Sequence, residues 1–269
     1  MCAEHDSNSE KTEASISETT DWLNLKVAKM AASPALPPEK LKAKYAVIST
    51  PRCGSTMFCD KLHKTGVLGN PMEWFNLRYI KAYAKAKGIK RLAFEQYTRD
   101  VILRTASSNG IFGVNIHVHQ YATAKDNGVD LLDLIGVDKV YYIYRRDKLA
   151  QVYSYAKAIA TDVWTSHVKP TPERAEKWRN VQDYQILNYL AQQAAWEAIY
   201  AEQLEARTAS SFCYEDILRD GEDSSYRKIL SDVGENVPRD HVFRTEFSKT
   251  ANAADQQRIE RLRRYILGQ

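Results

Sequence analysis

At 269 residues, with 44% hydrophobic and 27% charged residues and a net charge of +4, the chain is long enough to bury a full core and has a soluble globular composition. No apolar run approaches transmembrane length, and the N-terminus, MCAEHDSNSEKTEASISETT, carries no apolar signal-peptide core. The four cysteines (Cys2, Cys53, Cys59 and Cys213) show neither disulfide nor zinc spacing, which points to a reducing, cytoplasmic location.

Residues 1–40 hold seven Asp/Glu and four Lys/Arg, a net of −3, so the rest of the chain carries +7. A mildly basic body suits an anionic ligand. Nucleic acid is disfavoured as a partner, because there is no concentrated basic stripe, zinc motif or aromatic RNA-binding signature.

In chain order, residues 1–20 are polar and Ser/Thr/Glu-rich, a composition expected to stay disordered. Asp21 to Met30 can form a short helix, and Pro34, Pro37 and Pro38 make an extended linker. The expectation is an N-terminal extension with its linker over 1–40 and one domain over 41–269.

Tyr45 to Ser49 is a short apolar run suited to a buried strand. Thr50-Pro51 ends it, Gly54 permits a bend forbidden to other residues, and Ser55 and Thr56 can open a helix with Met57, Phe58 and Leu62 as its apolar positions. Strand, tight basic loop, Gly and helix start form an arrangement that binds phosphate. Backbone N–H groups converge there, the helix dipole favours negative charge, and Arg52 adds a planar fork of donors. An ordinary turn with a surface Arg has the same local sequence, so the loop alone leaves both readings open.

Downstream, the glycine-punctuated loop 66–71 leads to Met72-Glu73-Trp74-Phe75-Asn76, and 77–87 and 94–107 read as helices. Gly110 to His119 reads as a second strand, 130–135 as a short helix, and Lys139 to Tyr144 as a third strand. Arg145-Arg146-Asp147 opens a helix to about Ala160, 162–172 is a loop, and one long helix is expected over 173–205. Ser211 to Tyr214 reads as a fourth strand, with helices near 224–232 and 251–266 closing the chain. Strands separated by helices predict an α/β fold with a mostly parallel sheet flanked by helices. Its ligand edge, at the carboxyl ends of the strands, would carry both Pro51–Ser55 and Arg145–Asp147.

Together, STPRCGST, GNPMEWF, FGVNIHVHQY, RRDKLAQVYSY and FCYEDIL resemble, in order and spacing, the PAPS-dependent sulfotransferases, and most closely the trehalose 2-sulfotransferase family. PAPS is 3′-phosphoadenosine 5′-phosphosulfate. The resemblance runs from about Tyr45 to Ile217. It implies a P-loop-like three-layer fold and a sulfuryl transfer from PAPS to a carbohydrate or glycolipid hydroxyl. It also implies that Cys53, Gly54, Ser55 and Thr56 hold the 5′-phosphate and that Arg52 faces the bridging oxygen. Arg146 and Ser154 would hold the 3′-phosphate, and Glu73 would be the general base. No metal is implied, and homodimers occur in the resembling family.

Cys53 stands where the family usually has Ser, and beside Arg52 at a helix start its thiol is expected to have a depressed pKa and to be oxidation-sensitive. A phosphatase-type nucleophile is excluded, because that loop needs an Arg on the sixth residue after its Cys and position 59 is Cys59. His117 and His119 would share one strand face, as half a metal site or a packed pair, with His117 the reserve base. Trp74, Phe75, Tyr79, Tyr121 and Trp164 are the aromatic candidates for the acceptor side. Glu215-Asp216 is expected to cap the helix after its strand. Lys249 is a further candidate for nucleotide contact. A P-loop kinase or NTPase is the rival enzyme, but no Lys precedes Ser55 and Thr50 stands where a Gly would help. A non-catalytic nucleotide-binding descendant is the rival outside enzymes.

Overall fold

The sheet is set by four short strands. β1 (Ala43–Ser49), β2 (Ile111–His117), β3 (Lys139–Tyr144) and β4 (Thr208–Cys213) pair in the order β2-β1-β3-β4. All three pairings are parallel, with Ser49 opposite both His117 and Ile143. The computed structural model describes residues 22–219, 223–248 and 250–269. The polar stretch over 1–20 and Lys249 lie outside the described residues.

Alternation along the strands separates the two faces. Ala46 and Ile48, with Phe112, Val114, Ile116, Val140 and Tyr142, pack under one helical layer. That layer is formed by the helix over residues 22–32 (α1), α3 (Leu77–Ala86) and α4 (Phe94–Thr105). Tyr45, Val47, Ile111, Tyr141 and Ile143 face the other layer, where α2 (Ser55–His63) supplies Phe58 and Leu62. Both faces of β1, β2 and β3 are covered and these strands are largely buried, which is the pattern of a parallel α/β sheet, while the edge strand β4 leaves Ala209 and Ser211 exposed.

Helices α5 (Val118–Asp126), α6 (Leu131–Ile135), α7 (Lys148–Thr161), α8 (Pro172–Arg179), α9 (Asp183–Gln203), α10 (Tyr214–Arg219), α11 (Ser224–Asp232) and α12 (Ala253–Leu267) complete the described chain. A third apolar cluster joins α7, α8, α9 and α12 through Leu149, Val152, Tyr153, Trp178, Ile186, Ile259 and Leu262.

Three elements differ from the sequence reading, one of them β4, which spans Thr208–Cys213 rather than Ser211–Tyr214 because Tyr214 already opens α10. The second strand stops at His117, its last partner in the ladder, and α5 starts at once; the Gln120 side chain caps it by accepting from the His117 N–H at 3.1 Å. His119 is therefore a helical residue. The expected helix over 173–205 is two helices. Asn180 ends α8, and α9 restarts with Gln182 as cap. Arg258 of α12 holds the break, donating to the Val181 carbonyl and the Asp183 carboxylate. The sequence pattern was helical on both sides, and a long-range cation fixes the interruption.

Candidate active site

Every loop at the carboxyl edge of the sheet feeds one cavity of about 800 Å³. Its wall includes Arg52, Gly54, Ser55 and Thr56 after β1, Glu73 and Asn76, His117 at the end of β2, Arg145 after β3 and Ser154 on α7.

The β1–α2 loop has a forced shape. Arg52 and Gly54 both take left-handed backbone angles, φ 65° and 90°. At Gly54 a Cβ would overlap the Tyr214 ring, so glycine is required by space as well as by φ. Two buried glutamines brace the strand end. Gln151 Nε2 donates to Thr50 Oγ1 at 2.9 Å and to the Pro51 carbonyl at 2.8 Å, and Gln193 Nε2 donates to Thr50 Oγ1 at 2.7 Å. This accounts for Thr50 where a nucleotide triphosphatase would have glycine. Gly54 is the N-cap of α2 and offers its first turn no side-chain acceptor, leaving a helix start open to an anion.

The arginines converge on that helix start. Arg52 Nε donates to Ser154 Oγ at 3.0 Å, and its Nη1 donates to the Trp164 carbonyl at 2.6 Å. Burial and the neighbouring Arg145 pull the Arg52 guanidinium below its ordinary value, yet it stays a cation at neutral pH. Arg145 lies against the Tyr214 face, 5.1 Å from the ring centroid. Its Nε is buried with no hydrogen-bond partner among the described residues; the nearest carboxylate, Glu215, is 3.8 Å away.

Arg146 and Ser154 are not brought together. Arg146 is exposed, ion-paired with Asp216 at 2.8 Å, and is not part of the cavity wall. Ser154 faces the cavity and serves Arg52 instead. The Glu215-Asp216 pair reaches across rather than capping the helix after β4. Glu215 accepts from the N–H groups of Arg146 at 2.9 Å and Asp147 at 3.0 Å, which fixes the turn after β3. Burial works to raise the Glu215 carboxyl, but those N–H donors bring it down to about 2.

Cys53 is wholly buried and outside the cavity wall. Burial pushes its thiol up, against hydrogen bonds from Ser55 and Ser49 and the charge of Arg145. The expected depressed thiol is therefore corrected: its side chain turns into the core beneath the loop. Cys53, Cys59 and Cys213 are unpaired thiols.

At the far side of the cavity, Glu73 and His117 form a pair. Glu73 Oε1 is 3.3 Å from His117 Nε2, and Oε2 accepts from Asn76 Nδ2 at 3.2 Å and Gln120 Nε2 at 3.1 Å. Burial alone would raise the Glu73 carboxyl, but the His117 charge and hydrogen bond, with the two amides, bring it down to about 2. His117 Nδ1 lies 2.8 Å from Ser49 Oγ, and Ser49 Oγ is 3.4 Å from Asn115 Oδ1. Asn115 Nδ2 reaches Ser55 Oγ at 3.4 Å, so polar groups run without a break from the open helix start to the carboxylate. Ser49, Asn115 and Gln120 were missed in the sequence. Ser49 and Asn115 are polar residues inside otherwise apolar strands, which is the signal that could have found them.

His119 stacks on His117 with ring centroids 5.6 Å apart and lies tilted against Trp196 at 5.2 Å. Burial and His117 lower its imidazole to about 4, so it is neutral at pH 7. Among the described residues there is no group of three or more His, Cys, Asp or Glu arranged to hold a metal ion. Of the aromatic candidates, Tyr79 and Trp164 line the cavity. Trp74 and Phe75 are core residues, and Tyr121 is buried with its hydroxyl on Asp130 at 2.7 Å. None of the described helices is long and apolar enough to cross a membrane.

A family model described as Stf0 sulphotransferase matches residues 44–265. The trehalose 2-sulfotransferase of Mycolicibacterium smegmatis is 28% identical over 197 residues, covering 59% of this chain and 73% of that protein. The trehalose 2-sulfotransferase of Mycobacterium tuberculosis is 26% identical over 200 residues, with the same two coverages, 59% and 73%. The crystal structure of a sulfotransferase from Alicyclobacillus acidocaldarius aligns over 81% of this chain and 89% of that one, at 13% identity and a TM-score of 0.47.

Proposed function

The chain belongs to the Stf0 sulphotransferase family and is a sulfotransferase; from that premise we propose that its donor is PAPS and its acceptor a carbohydrate-type hydroxyl, with Glu73 as general base. One observation carries the reading. A single cavity has an uncapped helix start with two arginines on one side and an ionised carboxylate–imidazole pair on the other.

PAPS supplies an activated sulfuryl group on a phosphate leaving group. The open N–H groups of α2, with Ser55 and Thr56, would hold its 5′-phosphate, and Arg145 Nε in the same wall is a buried donor with no hydrogen-bond partner among the described residues. Transfer forms a bond from the acceptor oxygen to sulfur and breaks the bond from sulfur to the bridging oxygen, which keeps the electron pair. Arg52, fixed by Ser154 and Trp164, would stabilise the charge growing on that oxygen. The acceptor proton passes to the Glu73–His117 pair. The low Glu73 carboxyl favours a second reading of that step, with His117 as the resting place of the proton and Glu73 orienting the ring.

Ser154 stays with Arg52, and Arg146 would take the 3′-phosphate by giving up Asp216. Residues 41–269 serve as the catalytic domain in this reading, and its cytoplasmic setting is part of the same proposal. Calorimetric titration with 3′-phosphoadenosine 5′-phosphate (PAP) tests it. Micromolar-range binding, weakened at least tenfold in Arg146→Ala and in Arg145→Ala, is expected. Weakening in Arg145→Ala without weakening in Arg146→Ala overturns the assignment of the 3′-phosphate to Arg146. Binding of ATP without any binding of PAP or PAPS overturns the donor assignment and favours a nucleoside triphosphatase.

A further inference from the structure

The cavity wall extends beyond the family-matched residues. The match begins at residue 44, yet α1, over residues 22–32, contributes Trp22, Leu23 and Lys26 to the wall that also holds Glu73 and Arg52. This helix is anchored. Val27, Met30 and Ala31 are buried in the same cluster as Tyr79, Ala82 and Tyr83 of α3. Lys87 Nζ donates to the Ala31 carbonyl at 3.0 Å, and Arg104 donates to the Ser33 carbonyl just beyond. Its N-terminal turn is thereby held at the cavity on the sheet face covered by α3, opposite the face covered by α2.

The charges there are unbalanced. The wall's carboxylates are already engaged: Asp60 by Thr245 and Lys64, Glu73 by His117, Asp147 by Arg263, Glu215 by two backbone N–H groups and Asp255 by Lys157. Lys26 pairs with no carboxylate among the described residues, and its ammonium lies over the Trp22 ring, 5.4 Å from the centroid. Arg78 is held only loosely, 3.6 Å from Asp162 with its side chain 61% exposed. An indole and two weakly engaged cations in one cavity wall are the groups that can accept the C–H face of a sugar ring and an anionic substituent.

We propose that α1 selects the acceptor, with Trp22 stacking on a sugar ring and Lys26 and Arg78 taking an anionic group on that sugar, so that the preferred acceptor is a phosphorylated rather than a neutral sugar. This rests on the sulfotransferase reading above. Trp22 and Lys26 contact the acceptor and not the reacting atoms, so they are specificity-determining residues.

The test measures PAP formation from PAPS with trehalose and with trehalose 6-phosphate as probes, alongside PAP binding by calorimetry, in the full chain and in Trp22→Ala, Lys26→Glu and Lys29→Glu. In the unaltered chain KM for the phosphorylated probe is expected to be at least tenfold below that for the neutral one. Lys26→Glu removes or inverts that ratio, and Trp22→Ala raises both KM values about tenfold. Lys29→Glu makes the same charge change on an exposed residue outside the cavity wall and leaves the ratio as it was. PAP affinity stays constant throughout. Intact PAP binding with a KM ratio near one, or a ratio untouched by Lys26→Glu, overturns the role of α1 alone. Absence of PAP binding in the unaltered chain overturns the donor reading, and this inference falls with it.

Discussion

Replacing Glu73 by Gln separates the charge of this residue from its size. The side chain is 24% exposed, and its surroundings bring the carboxyl from an ordinary 4.5 down to about 2. Each pH unit of that gap is worth about 1.4 kcal/mol, so the site favours the carboxylate over the acid by roughly 3 kcal/mol. The folded carboxyl titrates below the unfolded one. The stabilisation is therefore complete above pH 4.5 and fades as pH falls toward 2. Glu73→Gln keeps the shape and one acceptor oxygen but loses the charge facing His117. At pH 7 it is expected to lose up to about 3 kcal/mol in urea unfolding, with the difference from the native chain shrinking below pH 4.5. Turnover of PAPS with trehalose is expected to fall by about 10²–10⁴, the usual contribution of a positioned base, with PAP affinity kept. Turnover within tenfold of the native chain would falsify the base assignment. A stability difference as large at pH 3 as at pH 7 would refute the charge argument.

Other changes probe the loop. Gly54→Ala must hold a left-handed backbone, worth about 1–2 kcal/mol, and also displace the Tyr214 ring; thermal unfolding is expected to show both costs, with Tyr214→Ala in the same chain recovering only the second. Arg52→Lys keeps a cation but cannot span Ser154 Oγ and the Trp164 carbonyl together, and steady-state turnover is expected to drop about a hundredfold with smaller change in PAP binding. Cys53 should resist iodoacetamide at pH 8 in the folded chain and react only on unfolding, because burial raises its thiol; rapid labelling of Cys53 in the native state would contradict its placement.

What the sequence determined by itself is local. The apolar run ending at Thr50-Pro51 gave β1 within two residues, because a parallel strand covered on both faces must be continuously apolar. Gly54 was legible as the bend, since no other residue type takes that backbone angle cheaply. The family motifs singled out Arg52, Glu73 and Ser154, all of which line the cavity at the carboxyl edge of the sheet. What the tertiary structure decided is which groups meet. Arg52 finds Ser154 and Trp164 across 102 and 112 residues, and Arg146 is drawn away to Asp216 across 70. The Cys53 thiol turns into the core, so desolvation outweighs the nearby arginine. Glu73 becomes a low carboxyl because β2 ends with His117 opposite it and the Asn76 and Gln120 amides close on its other oxygen, and α1 reaches the cavity because its apolar face has a sheet-backed layer to dock on. Hydrogen bonds and ion pairs act over a few ångströms. Their partners are chosen by how the layers stack, which no short stretch of sequence records.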